Sequence, residues 1–512
     1  MFVLPIPGLP LTSPIPVSAS QLSASSCTPC ANDRQPRPKV EAIDSELQGR
    51  RSRLPIPKLA TGNGCPTSPR NAKLVAVTME ETARAIATKL REQNHIAFFA
   101  GGCVRDMVRN LPPKDIDIAT DARPEEVQKL FPRTYAVGAH FGVIVVLENG
   151  FQFEVATFRS DDVYLDGRRP SEVHFSSPEE DARRRDFTIN GMFFDPAKNE
   201  VIDFVGGRDD LKAKLIRAIG DPAQRFAEDR LRMLRAIRFA TVLEFQIESE
   251  TWNALQQASA SITEISAERI RGELVRIFLS PQRLRGWDLL DRSGLLRAIL
   301  PEIEPMKGCA QPPQFHPEGD VFQHTRLMLE LLPENVSVPL VFSVILHDVA
   351  KPRTATVDAD GRIRFNEHDR LGAEMTEQIM ERLRFSRAEI DATVEMVRQH
   401  MVFKDVPRMR VAKLKRFMAR PTFEEELELH RVDCASSHAM LDNYEFLQRK
   451  KEEFANEPII PPPLVTGNDL IALGMKPGPR FGEILEAVET RQLEGAFKTR
   501  EEALDWVKRE YG

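Results

Sequence analysis

The segment Lys114–Thr120, KDIDIAT, alternates two aspartates with two isoleucines. Successive side chains of a β-strand point to opposite faces of its sheet. The pattern therefore predicts a strand with Asp115 and Asp117 on one face, and with Ile116 and Ile118 packed into a core on the other. A lone Asp-X-Asp pattern is also typical of a solvated strand edge, so the function of the aspartates depends on the sequence around them.

A second strand that carries a carboxylate is predicted by FQFEVATF, residues 151–158, in which Glu154 lies on the face opposite Phe153 and Val155. If the two strands are neighbours, three carboxylates converge on one face of one sheet. Clustered carboxylates repel one another unless a cation joins them. Their oxygens suit Mg²⁺, which proteins hold with one or two carboxylates together with substrate phosphates. The pattern predicts a two-metal site that would activate an attacking hydroxyl and stabilise a leaving phosphate.

The stretch before the aspartates, GGCVRD at residues 101–106, is typical of a turn that binds phosphate. Gly101 and Gly102 let a ligand approach the backbone closely. The N-terminus of the following helix offers N–H groups, and Arg105 adds a forked donor. A triphosphate beside a two-metal carboxylate site is the arrangement of nucleotidyl transfer, which favours a functional interpretation of the aspartates over a solvated edge.

The composition limits the partners and the location of the protein. The chain has 512 residues, 42% hydrophobic and 29% charged, which is ordinary for a protein of several globular domains. A net charge of −6 predicts no general attraction to nucleic acid, so any such contact must come from local basic patches. No uninterrupted apolar run approaches about eighteen residues, so no membrane-spanning helix is expected. The six cysteines are too few and too scattered for a disulfide framework, which predicts a cytoplasmic protein.

Sequence patterns divide the chain into an α+β head and a helical remainder. Residues 1–78 are rich in Pro and Ser without a helical or strand period, which predicts a disordered extension. Met79, at the start of the first convincing helix, is an alternative start of the protein. Strand and helix signals alternate after it, and helices dominate from about residue 209. The predicted units are the extension 1–78, a mixed-sheet head 79–208, an all-α neck 209–300, a helical body 301–455, and a linker with a small helical tail 456–512.

A series of motifs occurs in the order GGCVRD, KDIDIAT, FEVATFR, RRRDFTING, DFVGGRDDL and RFAEDRLRMLRAIRF. The series resembles the motifs of class II CCA-adding tRNA nucleotidyltransferases, whose superfamily includes the bacterial poly(A) polymerases. The similarity runs from about Ile96 to Leu300. It implies a nucleotidyltransferase head followed by a neck that selects the base and binds RNA.

The resemblance also implies a role for individual residues of the head and neck. Three carboxylates would be catalytic, the first two of them as Mg²⁺ ligands, and ten further residues would bind the nucleotide. The implied residues are Asp115, Asp117 and Glu154 for catalysis, Gly101, Gly102 and Arg105 for the triphosphate, Arg185, Asp186 and Asn190 for the ribose and phosphates, and Asp229, Arg232, Arg235 and Arg238 for the base.

The pair Asp229 and Arg232 has the chemistry to tell bases apart. The spacing predicts neighbouring positions on one face of a helix. A carboxylate accepts from an amino group, and a guanidinium donates to a ring nitrogen. Cytosine and adenine present an amino group beside such a nitrogen, whereas guanine and uracil present the opposite polarity. The alternative is a surface ion pair, which would stabilise the helix by only about 0.2–0.5 kcal/mol.

Three activities share a head of this kind: addition of CCA, addition of only CC or only A, and addition of poly(A). The segment DDVYLDGRRPSEVHF, residues 161–175, resembles the flexible loop of CCA- and A-adding enzymes, which CC-adding enzymes shorten. The sequence therefore favours full CCA addition to the 3′ end of tRNA from CTP and ATP. An A-adding enzyme and a poly(A) polymerase are the alternatives, and the sequence indicates no oligomeric state.

A second group of candidate residues follows the neck, where histidines and aspartates recur on successive segments. The adjacent pair His347-Asp348 after an apolar run, with further histidines and a distal aspartate, resembles an HD phosphohydrolase domain. Imidazole and carboxylate ligands suit a divalent transition metal, which would activate water on a phosphoester. A metal-dependent phosphohydrolase is the alternative of a different class, and a purely structural body is the other. The predicted ligands are His324, His347, Asp348, His368, His400 and Asp433.

Overall fold

The structure is a computed structural model, and it describes residues 77–136, 142–161, 173–314, 316–455 and 458–512. Residues 1–76 of the predicted disordered extension lie outside the described residues. Most of the predicted flexible loop, 162–172, also lies outside them. No helix within the described ranges is both long enough and apolar enough to cross a membrane.

The strands of the head form one mixed sheet and one short ribbon. They are β1 (Ala97–Ala100), β2 (Asp117–Thr120), β3 (Thr134–Tyr135), β4 (Val143–Glu148), β5 (Phe151–Thr157), β6 (Arg159–Asp161), β7 (Val173–Phe175), β8 (Phe193–Asp195) and β9 (Glu200–Ile202). Seven strands form the sheet in the order β3-β4-β5-β2-β1-β8-β9, while β6 and β7 pair separately. Within this sheet, as far as the structure describes it, the central neighbours β2 and β5 run parallel and the other neighbours run antiparallel. Two further ribbons pair β10 (Leu215–Ile216) with β11 (Gln246–Ile247), and β12 (Ala355–Val357) with β13 (Ile363–Phe365).

The central strand β2 confirms the alternation predicted for KDIDIAT. Ile116 and Ile118 are fully buried, whereas Asp115 and Asp117 are exposed. The strand begins only at Asp117, so Asp115 lies in the extended segment that leads into it. The isoleucines anchor this segment in the core and thereby turn both aspartates toward solvent.

The parallel pairing of β2 with β5 brings the third carboxylate to the same face of the sheet. Ile118 is paired with Val155, and both are buried. Asp117 and Glu154 each precede these residues by one position, and both are exposed. Because alternate residues share a face, Asp117 and Glu154 point to the same side of neighbouring strands.

Helices make up most of the remaining chain. Among the described residues, 3₁₀ helices occur at Thr188–Asn190, Ser259–Glu264, Pro301–Met306 and His400–Arg408. The α-helices are α1 (Met79–Glu92), α2 (Gly102–Val108), α3 (Pro124–Leu130), α4 (Pro178–Arg183), α5 (Gly207–Ala213), α6 (Pro222–Glu228), α7 (Leu231–Val242), α8 (Ser249–Ala258), α9 (Ala267–Phe278), α10 (Arg283–Ser293), α11 (Leu295–Ile299), α12 (Val321–Leu331), α13 (Val338–Leu346), α14 (Lys351–Thr354), α15 (His368–Arg382), α16 (Arg387–Gln399), α17 (Val411–Met418), α18 (Phe423–Ser436), α19 (Asp442–Phe454), α20 (Gly467–Ala472), α21 (Arg480–Leu493) and α22 (Arg500–Tyr511).

The hydrophobic core continues across the predicted boundaries of head, neck and body. One cluster of buried side chains extends from Ala83 on α1, through the neck, to Val432 on α18. Separate clusters surround Phe417 in the body and Trp506 in the tail, and a small one lies on the second face of the sheet. A sheet-bearing head followed by a helical body confirms the α+β class. The boundaries at residues 208 and 300 stay predictions, since no break in the core marks them.

Candidate functional site

A cavity of about 530 Å³ in the head brings together the predicted nucleotide-binding residues. Of the residues predicted for the head and neck, only Glu154 does not line it. Arg159, Arg184 and Phe239 also line it, although the sequence analysis assigned them no role. The two arginines lie inside the motifs FEVATFR and RRRDFTING, so the motif order already indicated their neighbourhood. The lining is Gly101, Gly102, Arg105, Asp115, Asp117, Arg159, Arg184, Arg185, Asp186, Asn190, Asp229, Arg232, Arg235, Arg238 and Phe239.

The glycine-arginine turn lies between β1 and α2, at one wall of the cavity. Gly101 has a φ of 76°, a conformation that residues with a side chain rarely adopt. A Cβ atom on Gly101 would also lie 3.3 Å from Nη1 of Arg185. Arg105 donates to Oδ1 of Asn190 at 3.0 Å, and its guanidinium faces the ring of Phe239. The turn thus combines an open backbone with a guanidinium held in place.

Asp186 connects the head to the neck, because its carboxylate accepts hydrogen bonds from residues of both. Its Oδ1 accepts from the backbone N–H of Phe187 and from Asn190, and its Oδ2 accepts from Nε of Arg235 at 2.7 Å. Burial alone would raise the pKa of Asp186, but the Arg235 guanidinium outweighs this and holds the pKa below its usual value. Both oxygens already have protein partners, so the direct ribose contact that the resemblance implies stays a prediction.

The structure corrects the placement of the base-reading pair on a single helix. Asp229 has extended backbone angles, φ −144° and ψ 102°, and lies between α6 and α7, whereas Arg232 lies in the first turn of α7. The physical reason is capping: Oδ1 of Asp229 accepts from the backbone N–H of Leu231, which the helix itself leaves unsatisfied. Both side chains nevertheless line the same cavity.

Neighbouring side chains hold both members of the pair. Arg269 on α9 donates to Oδ2 of Asp229 at 2.8 Å. Arg232 donates to Glu228 at 2.7 Å and to the carbonyl oxygens of Arg225 and Arg184. These bonds use three of the five N–H groups of a guanidinium, so two remain for a ligand. The pair is therefore oriented by the protein and keeps hydrogen-bonding capacity toward the cavity.

Phe239 forms an apolar floor under the basic side of the cavity. The guanidinium of Arg238 lies 4.0 Å from the centre of its ring, and those of Arg235 and Arg105 lie 5.3 and 5.6 Å away. Arg238 also donates to Glu273 at 2.6 Å. A ring that supports three guanidinium groups keeps them apart from one another and facing the ligand space.

The carboxylates of the head are only partly gathered. Asp115 and Asp117 line the cavity, and Glu154 is exposed beside them on β5 without lining it. Sets of three potential metal ligands (His, Cys, Asp or Glu) were sought among the described side chains by the distances between their ligand atoms. The sets whose ligand atoms all lie within 4.8 Å of one another are in the body. The Asp115–Asp117 pair thus fits the prediction of a metal-binding face, whereas Glu154 as the third carboxylate stays a prediction.

In the body, five of the predicted HD residues surround the sixth, the buried carboxylate of Asp348. His324, His347 and Asp348 form one group of potential ligands, and Asp348, His368 and His400 form another. All five of these side chains are buried. Oδ2 of Asp348 lies 3.1 Å from Nε2 of His347, while Oδ1 lies 3.6 and 3.9 Å from Nε2 of His368 and His400. Oδ2 of Asp348 therefore faces the ligand set with His347, and Oδ1 faces the set with His368 and His400.

The orientation of the imidazoles fits bound cations. Nδ1 of His347, His368 and His400 lies 2.6–2.9 Å from a backbone carbonyl oxygen. A carbonyl only accepts, so each Nδ1 carries a proton and each ring turns its Nε2 atom inward. Nε2 of His368 and Nε2 of His400 lie 3.1 Å apart, which is unfavourable for two lone pairs. Ligands bound to one ion at roughly 2.1 Å are themselves roughly 3.0–3.4 Å apart.

Buried polar atoms without partners support the same interpretation. Nε2 of His324, Nε2 of His347 and both oxygens of Asp348 are buried and make no hydrogen bond within the described protein. Burial alone would raise the pKa of Asp348, but His347 and Lys351 hold it well below its usual value. Burial and the adjacent rings lower the pKa of His400 to about 4, so this ring is neutral at pH 7. These groups fit a divalent transition metal.

Two residues of this centre carried no sequence signal, His316 and Glu318. Oε1 of Glu318 lies 2.9 Å from Nδ1 of His316 and 2.8 Å from Nδ1 of His324. The opposite nitrogen of His324 lies 3.1 Å from Asp433. Burial by itself lowers the pKa of His324, but the carboxylates of Asp433 and Glu318 outweigh it and raise the pKa to about 9. A position this negative attracts a cation.

Comparison with family models covers the head, the neck and the tail. Residues 97–217 match the model described as "Poly A polymerase head domain". Residues 244–307 match "Probable RNA and SrmB- binding site of polymerase A", and residues 370–507 match a model of tRNA nucleotidyltransferase domain 2. None of the three is described as an HD domain, so the HD assignment stays a prediction.

Curated relatives match less than half of the chain. The CCA-adding enzyme of Streptococcus pyogenes serotype M5 (strain Manfredo) is 44% identical over 216 residues, which are 42% of this chain and 54% of the relative. The CCA-adding enzyme of Streptococcus gordonii is 41% identical over 225 residues, 44% of this chain and 56% of the relative. The chain thus spans about half the length of the curated relatives it matches.

Solved structures extend the similarity to most of the chain. The Bacillus stearothermophilus CCA-adding enzyme in complex with CTP has a TM-score of 0.66 and 25% identity, covering 84% of this chain and 97% of that one. The Thermotoga maritima CCA-adding enzyme complexed with tRNA shares the fold at a TM-score of 0.54 and 20% identity, covering 84% of this chain and 95% of that one. The head and the RNA-binding segment thus match family models of poly(A) polymerases, and the relatives and solved structures that the chain resembles are CCA-adding enzymes.

Proposed function

We propose that this chain adds CCA to the 3′ end of tRNA, one nucleotide at a time, from CTP and ATP and without a nucleic-acid template. One observation carries the proposal: a single cavity is lined by the Gly101-Gly102 turn, by Asp115 and Asp117, and by Asp229 with Arg232. Groups suited to a triphosphate, to a divalent metal and to a base therefore surround one space of ligand size. The CCA-adding relatives matched by the head support the same reaction here.

In the proposed reaction the 3′ hydroxyl of tRNA attacks the α-phosphate of the nucleotide, and pyrophosphate leaves. Asp115 and Asp117 offer the hard oxygen donors that Mg²⁺ prefers, and bound Mg²⁺ would stabilise charge on the transferring phosphate. Arg105 and Arg185 lie on the cavity wall where they can neutralise the remaining triphosphate oxygens. The protein's part is to align the two reacting groups and to compensate charge, which is the main requirement of phosphoryl transfer.

Selection of C and A follows from the polarity of Asp229 and Arg232. The carboxylate accepts from the amino group of cytosine or adenine, and the guanidinium donates to the adjacent ring nitrogen. Guanine and uracil would face the pair with donor against donor and acceptor against acceptor. Each mispaired buried group costs about 1–3 kcal/mol, so each member of the pair is expected to contribute about 10- to 100-fold to the discrimination.

We also propose the cellular compartment of the reaction and the part of the chain that contacts tRNA. Cys103, Cys309 and Cys434 carry free thiols, which is usual in a reducing compartment and supports a cytoplasmic protein. The net charge of −6 gives no overall attraction to tRNA. Contacts to tRNA phosphates are therefore expected from local patches of the neck, where residues 244–307 match the RNA-binding model.

An A-adding enzyme or a poly(A) polymerase would use the same cavity, so the deciding experiment separates the three by product. Purified protein is incubated with tRNA transcripts that lack CCA, end in one C, or end in CC, with each NTP supplied separately. CCA addition predicts C on the first two substrates, A on the third, and no further growth. Incorporation of A alone, or long A tails on any RNA, would contradict the proposal.

As a second function, we propose that the body binds divalent transition metal at two positions that share Asp348. The support is the inward-facing Nε2 atoms and the two oxygens of Asp348, each directed at a different group. Bound metal would activate water for attack on a phosphoester. Nζ of Lys351 forms an ion pair with Oδ2 of Asp348 at 2.7 Å and brings a cation that suits a phosphate to the edge of the centre. The proposed ligands are His324, His347, Asp348 and Asp433 at one position, and Asp348, His368 and His400 at the other.

Metal content and hydrolysis test this second function separately. Protein exchanged into Mn²⁺, Co²⁺, Ni²⁺ or Zn²⁺ and then freed of loosely bound metal should retain up to two equivalents per chain. His347→Ala should lose metal. Equal metal content in the variant and the parent would contradict the proposed site. Hydrolysis of bis(p-nitrophenyl) phosphate by the parent but not by His347→Ala would support a phosphohydrolase. Retained metal without hydrolysis would leave a structural metal centre.

A further inference from the structure

His324 differs from the three other histidines that the sequence predicted as ligands in what faces its Nδ1 atom. In His347, His368 and His400 that atom faces a backbone carbonyl. In His324 it faces a carboxylate, Oε1 of Glu318, at 2.8 Å. A carbonyl orients a ring as a weak neutral acceptor, whereas a carboxylate also places a negative charge against it.

Glu318 is built into the protein at this position. Its side chain is only 5% exposed, and its second oxygen, Oε2, is buried without a hydrogen-bond partner in the described protein. Its Oε1 also lies 2.9 Å from Nδ1 of His316. The loop that carries it is held at its ends, because the backbone N–H of Gly308 donates to Asp320 at 2.7 Å. Burying a carboxylate costs free energy unless the charge is paired. The partners of Glu318 are His316 and His324, and His324 is a proposed ligand of the centre.

We propose that Glu318 is a positioning residue that orients His324 for metal binding and sets the affinity of the ion position formed with His347, Asp348 and Asp433. This inference rests on the proposed metal centre. Glu318 accepts the proton of Nδ1, which fixes the tautomer whose Nε2 lone pair points at the ion. Its charge makes the ring a stronger donor, as carboxylates behind metal-bound histidines do in general. At the position formed by Asp348, His368 and His400, the Nδ1 atoms of both rings face backbone carbonyl oxygens instead, so loss of Glu318 should weaken one position selectively.

The test is a Co²⁺ titration of the metal-free full chain, followed by visible absorption and by metal content. Four proteins are compared: the parent, Glu318→Gln, Glu318→Ala, and the control Glu330→Gln, which removes an exposed carboxylate from the same helix as His324. We expect two Co²⁺ sites in the parent and in the control. In both Glu318 variants one site should weaken about 10- to 100-fold with an altered spectrum, and the other should be unchanged.

Three results would overturn the inference. Identical affinities and spectra in the parent and Glu318→Gln would remove the role of Glu318 while leaving the metal centre. Equal weakening of both sites would assign Glu318 a general structural role instead. Absence of Co²⁺ binding by the parent would remove the centre and this inference together. The isosteric Glu318→Gln decides if Glu318→Ala does not fold, and unchanged nucleotide addition by the head reports that each variant is folded.

Discussion

At the scale of single residues, the head cavity is organised by side chains that hold other side chains. Arg269 holds Asp229, and Glu228 holds Arg232, through charged hydrogen bonds of 2.8 and 2.7 Å. Such bonds orient the reading groups before a nucleotide binds, so little reorganisation is needed during the reaction. The sequence pointed to Asp229 and Arg232, but their supports come from other turns of the neck.

Asp229→Asn should relax the choice of base without stopping nucleotide addition. The amide keeps the size of the carboxylate, but its NH2 group can donate a hydrogen bond. A carbonyl oxygen of guanine or uracil can therefore accept from Asn at this position, where it would face only acceptor oxygens of Asp229. We expect the preference for CTP and ATP over UTP and GTP to fall about 10- to 100-fold, which corresponds to about 1–3 kcal/mol. Single-turnover incorporation of each NTP measures it. Glu264→Gln, which removes an exposed carboxylate paired with Arg230, is the control, and equal selectivity in all three proteins would contradict the base-reading role.

His400 makes the stability of the chelator-treated protein depend on pH. Its pKa in the folded protein is about 4, against about 6.5 in an unfolded chain. Between these values the unfolded state binds a proton that the folded state excludes, so stability falls as the pH falls from 6.5 to 4. The loss amounts to about 3 kcal/mol at most. Chemical denaturation in EDTA measures it, and His400→Gln should show a shallower dependence. The same slope in both proteins would exclude His400 as the cause.

At the scale of elements, the turns of the head are shaped by close backbone contacts. The 3₁₀ helix Thr188–Asn190 carries Asn190 and follows Asp186, and the N-terminus of α5 packs against it. A Cβ atom on Gly207 would lie 2.2 Å from the carbonyl oxygen of Thr188. Only glycine permits this approach, so Gly207 of DFVGGRDDL serves packing beneath the site.

Gly207→Ala should therefore destabilise the protein and weaken nucleotide binding together. Overpacking of this kind costs about 1–3 kcal/mol, because either α5 or the 3₁₀ helix must move. Thermal unfolding and CTP titration measure the two effects. Gly272→Ala is the matched control: it lies within α9 with open space around its Cβ position and should stabilise the protein by about 0.5–1 kcal/mol. Similar behaviour of the two variants would contradict the packing argument.

At the scale of the whole molecule, one chain carries two candidate centres of different chemistry. The head offers exposed aspartates and many guanidinium groups, which suit Mg²⁺ and a triphosphate. The body offers buried imidazoles around one carboxylate, which suit a transition metal. The two centres share no residue, although one hydrophobic cluster reaches from the head into the body.

Asp115→Ala and His347→Ala should therefore have opposite effects. Asp115 is exposed, so its loss should lower nucleotide addition at least about 10³-fold with little change in stability. The transition-metal content of the body should stay at the parent level. His347→Ala should lose metal while keeping nucleotide addition within about threefold of the parent, because additivity holds for distant sites. A tRNA-addition assay and metal analysis on both variants measure this, and loss of both properties in either variant would show that the centres are coupled.

Local patterns in the sequence were sufficient for the α+β class, for the strand in KDIDIAT and for nearly all residues that line the head cavity. Period-two alternation is a property of one strand, and the burial of Ile116 and Ile118 follows from it directly. The resemblance carried by the motif order then assigned residues from separate turns and helices to one nucleotide-binding site. The HD residues were likewise named from a resemblance to an HD phosphohydrolase domain.

Contacts between distant segments could only be decided by the tertiary structure. Capping by its own carboxylate placed Asp229 outside α7, and packing turned Asp186 toward Arg235. The split of the body centre around Asp348 depends on where four elements cross. Glu318 carried no pattern at all, because an isolated carboxylate in a loop acquires a partner only when the loop folds against His324. Residue type and period are local properties, whereas the partner of a buried charge is set by the packing of the whole chain.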